Sequence, residues 1–524
     1  MKLAGEDGAP AGARLPRAAL LCAWAAIVLV MAARHVFWRD EVRAFNLALQ
    51  GDSVVEMLRG LHGEGHPALW YLLLRGAHAI APVREVLSAV SVAVAAAAMA
   101  LLAFRSPFRA WVIGLILFSG FALFEYSVVA RNYGISMLVL FALAHLYPRF
   151  RDRGPIVGLL LALLCNTNVP SALLAACFLL YWLIDLLGEE GLRWGRRYKL
   201  LLLNGAIAAA GALICFLTVF PTVHDAAQSD VAGSLTPGGL ASALFSPAES
   251  FWQLLPYATP PLPAIRIGLG LLLAGSLIGL ATRPGALLSS LIALAGFELF
   301  FNLVYPGGYR HQALILIYLI AMYWLAARGH GGRWPARWRA DEQLARAAAA
   351  GRLAFVVLLA IQVWKSADPI SRELEGRPHS RARDLGGLLA RERLQHAVLI
   401  ADPDVLLEPM PYYSPNPIYL MREQRFGAVP LFTRRARVHL SLDDYLADAR
   451  ALRQRTGRPV VIVMMHRLDP AKPPFRLREV YAWDFSADPA QVRRFHAATR
   501  RLASFPPAVT DESYDVYLLA AAGR

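Results

Sequence analysis

Long apolar runs recur along this chain from residue 18 to residue 367, and they constrain its fold more than any other feature. A helix of about 20 apolar residues matches the roughly 30 Å hydrocarbon core of a bilayer. The runs lie at about 18–37, 86–104, 110–125, 132–147, 155–167, 170–187, 200–220, 264–281, 285–304, 311–327 and 352–367. Eleven such segments predict a polytopic α-helical membrane protein. Composition agrees, with 57% of the 524 residues hydrophobic and 17% charged, where soluble domains average roughly 45–50% and about 25%. These values exclude a disordered chain, a collagen-like fibre and a disulfide-stapled mini-protein.

The placement of the basic residues, in a chain of net charge +15, fixes the expected orientation. One more apolar stretch, Pro67–Ala81, is short and contains Arg75 and His78. If it does not span, the arginines at 14, 17, 105, 109, 149, 151, 153, 193, 196, 197, 283, 328, 333, 337 and 339 all fall on one side. That is the bias of cytoplasmic loops. If it spans, every later loop flips and the bias inverts. Pro67–Ala81 is therefore read as an interfacial helix on the opposite side, with Trp70 and Tyr71 as interface anchors. No basic run is interleaved with stacking aromatics, so the excess charge does not point to nucleic acid.

This topology divides the chain into three parts. Residues 1–17 form a cytoplasmic tail. Residues 18–367 form the membrane domain, with an uncleaved first anchor and external loops at 38–85 and 221–263. The longer loop is rich in Pro, Gly and Ser and reads as an irregular, lid-like segment. Residues 368–524 differ in kind. Ala397–Ala401, Val460–Met465 and Tyr514–Leu519 pattern as buried strands, and Leu442–Thr456 and Pro489–Leu502 as amphipathic helices. They predict a soluble α/β domain on the external, periplasmic side. It lacks a Gly-rich phosphate loop. The four cysteines (Cys22, Cys165, Cys177 and Cys215) all lie in apolar segments without CxxC spacing, so they propose neither a zinc site nor a disulfide framework.

The polar motifs of the membrane half sort to the external side: Trp38-Arg39-Asp40-Glu41, Gly65-His66-Pro67, Glu125-Tyr126, Arg131-Asn132-Tyr133, Asn166-Thr167-Asn168 and Pro306–His311. Asp40 and Glu41 begin a helix, where the dipole and free N–H groups hold a carboxylate ionised. A fixed carboxylate beside a lipid surface is a candidate general base. His66 stands at the start of the interfacial helix, able to bind an anion when protonated or to donate a hydrogen bond when neutral. Arg131 offers a bidentate fork suited to phosphate, or a salt bridge to Glu125. Arg310 and His311 form a second basic pair behind two glycines that allow close backbone approach. Glu298 reads as a buried partner for Arg310 or Arg131. One acidic cluster among dispersed cations suits a phosphate-bearing donor and a neutral acceptor hydroxyl or amine.

Trp38-Arg39-Asp40-Glu41, then Gly65-His66-Pro67-Ala68-Leu69-Trp70-Tyr71, then Tyr126–Tyr133 resemble the membrane glycosyltransferases of the GT-C fold. The similarity is to the bacterial branch of the protein O-mannosyltransferase superfamily, which includes the lipid A aminoarabinose transferase. It covers residues 18 to about 330. The resemblance implies an inverting transfer from a polyprenyl-phosphate sugar to an envelope glycan, lipid or protein acceptor, at the periplasmic face of a bacterial inner membrane. It implies Asp40 as base with Glu41 assisting, and His66, Arg131, Tyr133, Arg310 and His311 around the donor phosphate and sugar. Ala68 stands where the family often has a second proline. No metal-ligand set is apparent in the sequence, and divalent metal use varies within the fold. Two rival readings are a lipid-linked sugar flippase or other transporter, and a non-catalytic envelope-glycan assembly protein.

Overall fold

The computed structural model describes residues 3–4, 14–61, 64–220, 251–256, 259–334, 341–433, 435–478, 483–510 and 512–520. Most of the external loop expected at 221–263 lies outside these residues. Among the described residues, eight helical segments are long and apolar enough to cross a membrane: Arg14–Arg34, Val86–Arg105, Tyr133–Phe150, Val169–Glu190, Arg196–Val219, Pro284–Leu303, Tyr309–Ala327 and Glu342–Leu374. The chain is a multi-pass membrane protein.

The remaining three of the eleven apolar runs are helical but short. Ala110–Leu117 has 8 residues, Ile156–Cys165 has 10 and Pro263–Ile278 has 16. At 1.5 Å per residue, ten residues cover about half the hydrocarbon core. Local chemistry ends two of them. The Asn166 amide takes the carbonyls of Ala162 and Gly211, each at 2.9 Å. After Leu117 the chain passes through a π-helical turn at Phe121–Glu125 and then unwinds to Arg131. The unwound backbone stays satisfied, because the Ser91 hydroxyl serves the carbonyls of Ser127 and Val129 at 3.0 and 3.2 Å.

The arginine-rich loops gather at one end of the bundle. Arg17 donates to the carbonyls of Ala103, Ser106 and Phe108, and Arg328 donates to that of Arg105. The buried Asp185 carboxylate receives Gly331 N–H, Gly332 N–H, Tyr147 O–H and Arg151 at 2.7–2.8 Å.

At the other end, residues 38–85 form three short helices, Arg39–Leu49, Val54–Gly60 and Leu69–Ile80. The last is the helix expected within Pro67–Ala81. It starts at Leu69 rather than at His66-Pro67, and 12 residues are too few to span. Trp70 and Tyr71 are fully packed inside, not at an interface. They lie on its buried face with Leu74, while Leu72 and Leu73 are exposed.

The C-terminal region is an α/β domain. Its four-stranded sheet runs Val398–Asp402, Val460–Met464, Asp515–Leu519, Thr499–Ser504, with the first pair parallel and the others antiparallel. Both central strands bury every residue or nearly so, as the continuous apolar runs require. A second sheet joins His439–Ser441, Asp484–Ala487 and Phe475–Arg478. The helix expected to reach Leu502 stops at Ala498, and Thr499–Ser504 pairs as an edge strand with Asp515–Leu519. Pairing supplies ladder hydrogen bonds that override the helical periodicity of those residues.

This domain is bolted to the end of the bundle that carries Asp40. The Tyr413 hydroxyl accepts from Phe37 N–H at 2.7 Å, and Glu512 accepts from Arg39 N–H at 2.9 Å. Arg383 donates to the His35 carbonyl at 2.7 Å, and Arg84 donates to the Tyr412 carbonyl at 2.6 Å. Arg43 lies between Glu64 and Glu408 and reaches the Pro430 carbonyl at 3.0 Å. Burial pushes Glu408 up to about 7 even with Arg43 beside it. Removing Arg43 leaves two buried carboxylates facing each other, a loss worth about 3–5 kcal/mol. Arg43→Ala is expected to lower the unfolding temperature in detergent and to open residues 366–382 to protease. A variant as stable and as protease-resistant as wild type would refute this.

Candidate functional site

Asp40 and Glu41 are adjacent, and the helix turns them to different surroundings, about 100° apart around its axis. Glu41 is fully buried. Its carboxylate receives Ala130 N–H at 2.6 Å, His35 Nε2 at 3.0 Å and Trp38 N–H at 3.2 Å. It ties the helix Arg39–Leu49 to the end of the first span and to the unwound turn before Arg131. Its oxygens are occupied, so Glu41 is a positioning group. Asp40 is the one that faces out, with 37% of its side chain exposed.

Two guanidiniums flank the Asp40 carboxylate, one from the unwound turn before Tyr133 and one from the helix Tyr309–Ala327. Arg131 Nη2 is 4.0 Å from Oδ2 and Arg310 Nη1 is 3.9 Å away. Arg131 also donates to the Asp40 carbonyl. Partial burial works to raise the Asp40 pKa, but Arg131, Arg310 and Arg39 outweigh it and hold the group below the usual carboxylate range. Asp40 is ionised throughout neutral pH.

His66 stands behind Arg131, with Nε2 2.7 Å from Arg131 Nη2. Arginine only donates, so Nε2 accepts and the imidazole is neutral, with its proton on Nδ1. Burial, then Arg131 and His311, push the His66 pKa well below its usual value of 6.5. His311 is fixed in the other tautomer. Its Nδ1 accepts from Gly308 N–H at 2.9 Å, so Nε2 donates to the Tyr133 hydroxyl at 2.7 Å. Tyr133 accepts there and keeps its own O–H as a donor. Tyr133 stacks on Tyr126 at 5.9 Å, and Tyr126 O–H holds the Arg310 carbonyl at 2.6 Å.

The seven residues expected at the site thus occupy one region. Six of them (Asp40, His66, Arg131, Tyr133, Arg310 and His311) form a connected cluster, while Glu41 supports it from behind. Two expected partnerships differ. Glu125 pairs with Arg310 Nε at 3.5 Å, not with Arg131. Glu298 pairs with neither arginine, and its Oε1 is buried without a hydrogen-bond partner. Sequence reasoning also missed the role of Trp38, whose ring lies 5.2 Å beneath the Arg310 guanidinium. The signal was present in the Trp-Arg-Asp-Glu run, but a cation–π partner 272 positions away is not legible from it.

Comparison of the chain with family models, curated proteins and solved structures finds no match.

The neutral state of His66 carries a testable pH dependence. A histidine with a depressed folded pKa binds fewer protons folded than unfolded, so stability is lost as pH falls below about 6.5. His66→Gln keeps a hydrogen-bond acceptor for Arg131 and cannot titrate. Its unfolding temperature is expected to fall less than that of wild type between about pH 7 and 5. Parallel curves for the two proteins would refute the assignment.

Proposed function

We propose that this protein is a membrane glycosyltransferase that moves a sugar from a polyprenyl-phosphate donor to an envelope acceptor at the periplasmic face of a bacterial inner membrane. The observation that carries the proposal is the placement of Asp40. It is a part-exposed, ionised carboxylate on a helix start, flanked by two guanidiniums from elements far apart in sequence, one in the turn before Tyr133 and one on the helix Tyr309–Ala327. A transfer from a sugar phosphate needs that pairing of opposite charges. The carboxylate takes the proton of an acceptor hydroxyl or amine. The acceptor atom attacks the anomeric carbon from the face opposite the phosphate, and the carbon–oxygen bond to phosphate breaks. The polyprenyl phosphate leaves with the bonding pair, and its new charge falls to Arg131 and Arg310. The configuration inverts.

The same geometry gives the arginines two states. In the free protein they neutralise Asp40 and make it a weak base. A bound phosphate draws both guanidiniums toward itself, which raises the basicity of Asp40 when substrate is present. The motif resemblance supports this reading, as does the gathering of the arginine-rich loops at the opposite end of the bundle, where cytoplasmic loops belong. A transporter needs polar groups serving both faces, whereas this cluster serves one end.

The direct test compares lipid-linked sugars and envelope glycans by mass spectrometry in strains carrying wild type, a deletion or Asp40→Asn. The deletion and Asp40→Asn strains are expected to accumulate the same polyprenyl-phosphate sugar and to lack the same glycan residue, with Asp40→Asn protein still in the membrane. A wild-type profile from Asp40→Asn would overturn the assignment of the base and move the transporter or assembly-protein reading ahead. A second test uses pH. Arg131→Gln removes a cation from Asp40 and so raises its pKa. The acidic limb of the transfer rate is expected to move to higher pH, with the rate also reduced through loss of a phosphate contact. An unmoved acidic limb would show that Asp40 is not the titrating base.

A further inference from the structure

Behind Glu41 lies a second cluster that the transfer chemistry does not use. It joins three segments: His35 at the end of the first span, Glu373 near the end of the last, and His379 in the connection to the C-terminal domain. His35 Nδ1 is 3.3 Å from Glu373 Oε1, and His379 Nδ1 is 3.6 Å from the same oxygen. The three ligand atoms all lie within 4.8 Å of one another. We propose that His35, Glu373 and His379 form a zinc site that staples the start of the C-terminal domain to the Asp40 end of the bundle.

Three observations carry this. The first is spacing. Direct N–H···O hydrogen bonds prefer 2.7–3.2 Å, whereas the ligand atoms of a tetrahedral zinc with bonds of 2.0–2.1 Å stand about 3.3 Å apart. The edges of 3.3 and 3.6 Å match the latter; the first is also within reach of a long hydrogen bond, and the second is beyond one. The second is the far side of His35. Its Nε2 faces the buried Glu41 carboxylate at 3.0 Å, so Nε2–H donates there, and a metal would take on Nδ1 the place of the proton that otherwise bridges to Glu373. That is the carboxylate–histidine–metal arrangement by which ligating imidazoles are oriented. The third is His379 Nδ1, which is buried and makes no hydrogen bond among the described residues. A cavity of about 230 Å³ adjoins His379, lined also by Phe124, Glu125, Lys365 and Arg372. It leaves room for a water to complete a fourth position. Two imidazoles and one carboxylate favour zinc over magnesium or calcium, which take oxygen ligands.

The site is one of position rather than reaction. A metal there lies one imidazole from Glu41, and Glu41 holds the helix that presents Asp40. The alternative is a protonated His35 bridging Glu41 and Glu373 with no metal. The proposal does not depend on the transferase reading, because its readout is metal content.

The test uses the full chain purified in detergent, with affinity tag removed and metal stripped by chelator. The protein is dialysed against zinc chloride alone and its zinc counted by mass spectrometry, and cobalt(II) is loaded separately. Wild type is expected to bind one zinc per chain and to give the intense visible bands of four-coordinate cobalt. Glu373→Gln and His379→Gln, each still monodisperse, are expected to weaken zinc binding at least tenfold. Zinc binding by wild type no greater than that of the combined Glu373→Gln, His379→Gln variant would overturn the site and leave the protonated bridge. Equal binding with cobalt bands unchanged in the variants would place the metal elsewhere and overturn it as well.

Discussion

The buried carboxylate of Glu41 accepts hydrogen bonds from three residues on two separate stretches of chain: His35 and Trp38 on one, Ala130 on the other. A buried carboxylate is tolerable only when its oxygens are matched this closely, since stripping its hydration costs several kcal/mol. The match fixes three things together: the angle at which the chain leaves the first span, the start of the helix Arg39–Leu49, and the unwound turn at 126–131. Arg131 leaves that turn one residue after the Ala130 amide that Glu41 holds. The rest of the polar cluster is built outward from this point.

Two neighbouring acids therefore take opposite roles. Glu41 is inside and engaged, and Asp40 is outside and held ionised by cations. The arginines come from elements that meet only because the spans pack side by side. Each is itself fixed from behind. Glu125 and the Trp38 ring orient Arg310, and His66 backs Arg131. His66 and His311 are neutral hydrogen-bonding groups in this arrangement, so the positive charge of the cluster resides on the guanidiniums. A guanidinium keeps its charge at every accessible pH, so the two cations facing Asp40 are present whatever the protonation state of the histidines.

The C-terminal domain is part of the same construction. Glu512 accepts from the first turn of the helix that carries Asp40, Glu408 meets Arg43 one turn further on, and Tyr413 grips the chain at Phe37. None of these groups reaches the Asp40 carboxylate. They hold the segment that presents it, so the C-terminal α/β domain, more than three hundred residues downstream, helps to set the geometry at this end of the bundle.

Much of this was legible in the amino-acid sequence. The length and placement of the apolar runs determined a multi-pass helical bundle, because hydrophobic burial depends on local composition. The distribution of arginines determined which loops share an end, because charge bias accumulates over short loops. The continuous apolar stretches near 398, 460 and 515 determined the sheet of the C-terminal domain. The sequence also brought forward the acidic pair, His66, Arg131 and the residues at 309–311. It did not determine which acid of the pair is buried, which arginine Glu125 meets, or that Glu298 meets neither. Nor did it mark His35, Glu373 and His379 as one cluster. Those outcomes depend on how helices rotate and pack against partners distant in the chain, and hydrogen-bond geometry at a few tenths of an ångström decides them. Only the tertiary structure brings those partners to one place.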